Sequence, residues 1–193
     1  MKIFVAGPRS IKKLDKPAKM KLESIINENH TVLVGDALGV DKLTQQFLSS
    51  SLYNNVIVYA SQGKARNNLG GWKIENVCVE KGAKGFDFYK AKDIKMAEDA
   101  DYGFMIWNGK SKGTLNNIIN MAELNKKISV YFIPHEKFYV IKCIKDAEIM
   151  ASACGDDIAN LFNELRLARY PLECRLELEQ MTVNETANGD RKP

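Results

Sequence analysis

Short apolar runs alternate along most of this chain with stretches in which apolar positions recur every three or four residues. The first run, Lys2 to Ala6, reads as a buried strand and ends in Gly7-Pro8-Arg9-Ser10. Pro17 to Asn29 has helical spacing, with Met20, Leu22, Ile25 and Ile26 on one side. Thr31 to Val34 reads as a second strand, closed by Gly35-Asp36-Ala37. Asp41 to Leu52 is a second helix carrying Leu43, Phe47 and Leu48, and Asn55 to Ala60 a third strand. Ser61 to Asp87, rich in glycine and asparagine, breaks the rhythm and reads as irregular. The pattern resumes with a helix over Ala91 to Ala100, a strand over Tyr102 to Trp107, a helix over Thr114 to Asn125 and a strand over Ile128 to Ile133. This alternation predicts an α/β fold, a mostly parallel sheet covered by helices on both faces.

After Pro134 the character changes. Lys137 to Lys142 predicts an edge strand, and Asp146–Ala153 and Asp156–Leu167 two short helices. The expected organisation is therefore a main domain over 1–133, a small C-terminal strand and helix extension over 134–181, and a disordered tail over 182–193 that lacks apolar periodicity.

Composition narrows the function classes. At 193 residues, with 45% hydrophobic and 27% charged residues, the chain can bury a core of ordinary globular character. Its apolar runs are strand-sized, too short to span a bilayer, and Met1 leads straight into a strand pattern instead of a signal peptide. A cytoplasmic protein without a membrane partner is expected. Cys78, Cys143, Cys154 and Cys174 form no CxxC pair and are expected to be reduced, partly buried small hydrophobes. With His30 and His135 far apart, zinc-site spacing is absent and no metal is expected. The net charge of +4 is spread along the chain, which argues against nucleic acid as a partner.

In open parallel sheets, ligands bind outside the carboxyl ends of the strands, where strand order reverses. That rule selects the loops Gly7–Ser10, Gly35–Asp41, Ala60–Gly71 and Asn108–Thr114. In the last, a strand ends in Asn108-Gly109-Lys110-Ser111-Lys112-Gly113-Thr114 and turns into a helix, so unpaired backbone N–H groups and the helix dipole favour an anion there. Gly109 and Gly113 permit close backbone approach, and Ser111 and Thr114 add hydroxyl donors, although the order of a Walker A loop is missing. Gly113-Thr114 also reads simply as a turn and helix cap. Arg9, beside Gly7 and Ser10, offers a fork suited to phosphate. Asp36 and Asp41, around Gly35 and Gly39, suit ribose hydroxyls, while Asp41 equally reads as a cap of the helix it begins. Arg66 and Asn67 lie where a loop can close over a ligand, and Trp72 is either a base-stacking platform or a packing anchor. Lys92-Asp93, Asp99 and Asp101 fall on the helix before the Tyr102–Trp107 strand, the last two reading as solvated helix-end groups. Trp107 reads as core or as pocket wall.

The segments "VAGPRSI", "VGDALGVDKLTQQFL", "VYASQGKARNNLGGW" and "MAEDADYGFMIWNGKSKGT", taken in order over residues 1–133, resemble the SLOG superfamily, and within it the YspA/YpsA-related branch. The resemblance implies a Rossmann-like three-layer fold that binds nucleotides or nucleotide-derived ligands. Relatives include DprA and the LOG phosphoribohydrolases, and assembly into homo-oligomers is expected. It matches Gly7 and Arg9 to the first loop, Gly35, Gly39 and Asp41 to the second, Arg66 and Asn67 to an "RN" pair, and Ser111, Gly113 and Thr114 to the phosphate loop. LOG proteins carry a glutamate for glycosidic cleavage three residues after the GT of that loop, as do the similar-looking nucleoside 2-deoxyribosyltransferases.

Here that position is Asn117, whose amide can bind a ribose but cannot titrate or attack. The leading expectation is therefore binding or sensing of a nucleotide or ADP-ribose-like ligand, with no cofactor required. The alternative is an N-glycosidase or phosphoribohydrolase acting on nucleoside monophosphates, with Asp36, Asp41 or Glu123 supplying the carboxylate that an oxocarbenium-like transition state needs. Single-stranded nucleic-acid binding, as in DprA, is a third reading, and the scattered lysines speak against it.

Overall fold

The computed structural model describes residues 1–79 and 85–170, with the side chains of 85–89 left aside. The sheet has seven strands: β1 (Lys2–Ala6), β2 (Thr31–Gly35), β3 (Val56–Ser61), β4 (Lys73–Val77), β5 (Tyr102–Trp107), β6 (Lys127–Phe132) and β7 (Lys137–Ile141). Their order is β4-β3-β2-β1-β5-β6-β7, and every pair is parallel except β6–β7. The helices are α1 (Lys16–Asn27), α2 (Val40–Ser50), α3 (Gly85–Asp99), α4 (Lys112–Glu123), α5 (Ile144–Cys154) and α6 (Asp156–Leu167). The three-layer α/β arrangement is the one expected.

Alternation along the strands divides the core in two, because successive side chains leave a strand on opposite faces. Ile3, Val5, Val32, Val34, Phe104 and Ile106 pack toward α1 and α2 through Ala18, Leu22, Ile25, Val40 and Leu48. Phe4, Leu33, Met105, Trp107, Val130 and Phe132 face α3, α4, α5 and α6. Ile141, Ala147, Met150 and Phe162, all from the segment after Pro134, belong to that second cluster.

Several local expectations differ from the structure, among them the start of α3, which begins at Gly85 and not at Ala91. Ser61 to Asp87 is not irregular throughout: Lys73–Val77 forms the edge strand β4, parallel to β3. Its side chains are mostly exposed, so it lacks the apolar run that marks an interior strand. In α1 the buried stripe is Ala18, Leu22 and Ile25, spaced four and three apart, and Met20 points to solvent. Among the cysteines, Cys78 is exposed while Cys143 and Cys154 are half-buried; Cys174 and the tail over 182–193 lie outside the described residues.

β1 is the topological hinge of the sheet. The chain steps outward from β1 to β4 in one direction, then returns to β5 on the other side of β1. The crevice between the carboxyl ends of β1 and β5 is therefore the place for a ligand.

Candidate functional site

A cavity of about 700 Å³ occupies that crevice. Its walls come from the loop after β1 (Gly7 to Ser10), from Ala37 and Asp41 beside α2, from α3, and from the β5–α4 loop with the first turns of α4. Among the described residues, its charged lining is Arg9, Lys90, Lys92, Lys110 and Lys112 with Asp41 and Asp93, an excess of positive charge.

The β5–α4 loop is held by its own side chains. Asn108 Oδ1 accepts from the backbone N–H groups of Lys110 and Ser111, each at 3.1 Å. Trp107 is wholly buried against Phe132, and its indole N–H donates to the Ser111 carbonyl at 3.1 Å. Trp107 is thus core and tether at once. Ser111 caps α4: its hydroxyl accepts from the Thr114 N–H at 3.3 Å and from the Thr114 hydroxyl at 3.0 Å. The Thr114 hydroxyl therefore donates within the cap, the Ser111 hydroxyl accepts there and keeps its own proton to donate, and the first-turn amides of Lys112 and Gly113 remain ahead of them. At Gly113 a side chain would meet no atom within 4 Å, so the cavity reaches the helix backbone. One turn on, Asn117 is 4% exposed and lines the cavity, and its Oδ1 is buried without a hydrogen-bond partner. A buried amide oxygen left unpaired is costly and uncommon in folded proteins.

Beside α2 the geometry depends on glycine. Gly39 has φ +73°, and a Cβ there would lie 2.3 Å from the Pro8 carbonyl oxygen. Its absence lets the Val40 N–H donate to that oxygen at 3.1 Å, fixing α2 against the β1 loop. A Cβ on Gly35 would sit 2.2 Å from Asp41 Oδ2 and 2.7 Å from Lys92 Nζ, so this bare position makes room for both groups over the end of β2. Asp41 Oδ2 also accepts from the Ala37 N–H at 3.2 Å. Lys92 is 4% exposed and donates to Asp93 at 2.7 Å. Burial pushes the Asp41 carboxyl up to about 6, against the opposing pull of Lys92 and with the help of Asp93. For Lys92 burial works against the charge, but Asp93 and Asp41 outweigh it and the amine stays firmly protonated.

Of the residues singled out in the sequence, Gly7, Arg9, Ser10, Asp41, Ser111, Gly113, Thr114 and Asn117 line the cavity. Asp36, Arg66 and Asn67 do not; they bind one another. Arg66 grips the Asp36 carboxylate at 2.9 and 2.5 Å, its N–H adds a 3.1 Å bond, and Asn67 Nδ2 donates to the Asp36 carbonyl at 2.7 Å. Burial raises Asp36, but these Arg66 contacts prevail and hold it below the usual carboxylate range. Trp72 is the packing anchor, donating to the Tyr53 carbonyl at 2.9 Å within the α1/α2 core. Gly109 sits beside the Phe132 ring with φ +74°. Asp99 accepts from Tyr59 and Lys95, and Asp101 from the Lys2 N–H. Asn108 and Lys92, to which sequence reasoning gave no role, emerge as loop organiser and cavity floor.

No family model, curated protein or solved structure matches this chain. Among the described residues no helix is long and apolar enough to cross a membrane.

Proposed function

We propose that this protein binds a nucleotide or nucleotide-derived ligand, with a phosphate at the β5–α4 loop. The reading is carried by the first turn of α4, which opens onto a cation-rich cavity at Gly113 while Asn117 waits one turn on with an unpaired oxygen. Helix N-termini favour anions, and an amide oxygen suits a hydroxyl or amino donor of the same ligand. The resemblance to the SLOG superfamily points the same way and brings with it a homo-oligomeric assembly; a cytoplasmic setting, read from the chain's strand-sized apolar runs, belongs to the same proposal. Asn117 in place of a glutamate favours binding over cleavage.

Calorimetry against AMP, ADP, NAD and ADP-ribose tests the reading. Gly113→Glu is the informative variant, because its side chain enters open space and an acidic residue suits a helix start. It should leave thermal stability unchanged and abolish binding of whichever nucleotide the wild type takes. Absence of binding across the panel, or full binding by Gly113→Glu, would sink the proposal.

The Asp41 carboxyl, buried beside the cavity and pushed up to about 6, favours a second reading. A carboxyl still partly protonated near neutrality suits a general acid in N-glycosidic cleavage of a nucleoside monophosphate. Chromatography would then detect free base from AMP, lost in Asp41→Asn.

A further inference from the structure

The segment after α6 turns back onto the helix that begins the cavity. Arg169 donates through Nη1 to Glu123 at 2.6 Å, and through Nη2 to the Asn116 carbonyl at 3.3 Å and to the Asn116 side-chain oxygen. A second contact joins the same elements: Lys112 on the first turn of α4 lies 3.4 Å from Glu164 of α6. Asn116 is 5% exposed and lines the cavity.

A guanidinium carries donors only, so the amide atom it meets must be the oxygen. The contact therefore fixes the rotation of the Asn116 amide, a choice that local packing alone would leave open. Oδ1 is taken by Arg169, which turns Nδ2, the donor end of the amide, to the side away from that oxygen.

We propose that Arg169 is a positioning residue: it locks the Asn116 side chain so that its amide nitrogen serves the cavity as a donor to a phosphoryl oxygen, beside the amides of Lys112 and Gly113. This rests on the anion-binding reading of the cavity. It adds that the C-terminal extension is part of the ligand site, and that the site gains a neutral donor where a carboxylate would repel the ligand.

Asn116→Asp separates the two roles of the side chain. It keeps an oxygen for Arg169, and the pairing becomes charge-assisted, but it replaces the donor with a second oxygen. With full-length protein and ADP-ribose and inorganic pyrophosphate as probes, the melting temperature should hold or rise. Affinity should fall about tenfold or more, the scale set by placing a like charge beside a desolvated anion. Arg169→Ala should also weaken binding, and Arg169→Lys should restore it, since an ammonium likewise only donates. An Asn116→Asp protein that binds as tightly as wild type overturns the proposal, as does one whose melting temperature drops, because the Arg169 contact would then not be the one described. If Gly113→Glu abolishes binding while Asn116→Asp leaves it intact, only this inference fails; if the wild type binds neither probe, the anion reading fails with it.

Discussion

Asp41 and Lys92 show how one missing side chain shapes the site. Gly35 leaves room over the end of β2, and a buried carboxyl and a buried ammonium meet there at the floor of the cavity. Because the Asp41 carboxyl ionises at a higher pH when folded than its ordinary 3.8, the folded state binds its proton more tightly than the unfolded chain does. Asp41 therefore contributes stability at acid pH that is lost as the pH climbs from about 4 to about 6. Asp36, held low by Arg66, acts in the opposite sense, so the Asp41 contribution is visible only by difference. In urea titrations across pH 3 to 8, Asp41→Asn should show a smaller decline over that interval than wild type; identical pH profiles would contradict the burial argument. Gly35 and Asp41 were legible as residues of the site, but the buried lysine that meets them was not. Lysine on a helix reads as solvated, and its burial here depends, besides its neighbour Asp93, on Asp41 and the bare Gly35, both more than fifty positions away in the chain.

Between elements, the decisive contact is the clasp between the end of β2 and the loop after β3. Two charges with the whole of α2 and β3 between them in the chain meet in a two-pronged ion pair, backed by the Arg66 N–H and Asn67. Arg66→Ala would leave the Asp36 carboxylate, 4% exposed, without its counter-ion. Removing one partner of a buried pair costs roughly 3–5 kcal/mol; the partly solvated guanidinium here lowers the expectation to about 2 kcal/mol. Chemical denaturation should show that loss, and limited proteolysis should cut the 61–71 loop faster than in wild type. Sequence reading placed these residues in the right loops but assigned them to a ligand, because spacing shows that a carboxylate and a guanidinium are near a strand tip and not that they face each other. The edge strand β4 escaped for a related reason. Ile74 and Val77 are its only apolar members, and a strand with one open edge needs no more.

Across the whole molecule, the strand and helix rhythm carried most of the architecture, since period-two and period-3.6 patterns report directly on which face is buried. What the rhythm does not encode is strand order, and it is the return to β5 beside β1 that creates the crevice. The segment after Pro134 is integrated into this body: β7 pairs with β6, and Phe162 of α6 shares a core cluster with Phe4 of the central strand. Phe162→Ala should therefore destabilise the whole described body by about 3–5 kcal/mol, as for a large aromatic removed from a packed core. Circular dichroism and hydrogen exchange at β1 should report one shared transition, displaced together. A variant in which only the C-terminal helices loosen would disprove that integration.

The tether from Trp107 to the Ser111 carbonyl has an optical consequence. The chain has two tryptophans, and they sit on opposite faces of the sheet. Trp107 grips the loop at the cavity, while Trp72 is anchored to Tyr53 in the other core. Indole emission responds to the polarity and hydrogen bonding around the ring, so the protein holds a probe wired to its candidate site and an internal reference remote from it. Occupancy of the crevice can be followed in the native, unlabelled molecule by the light of one residue measured against the other.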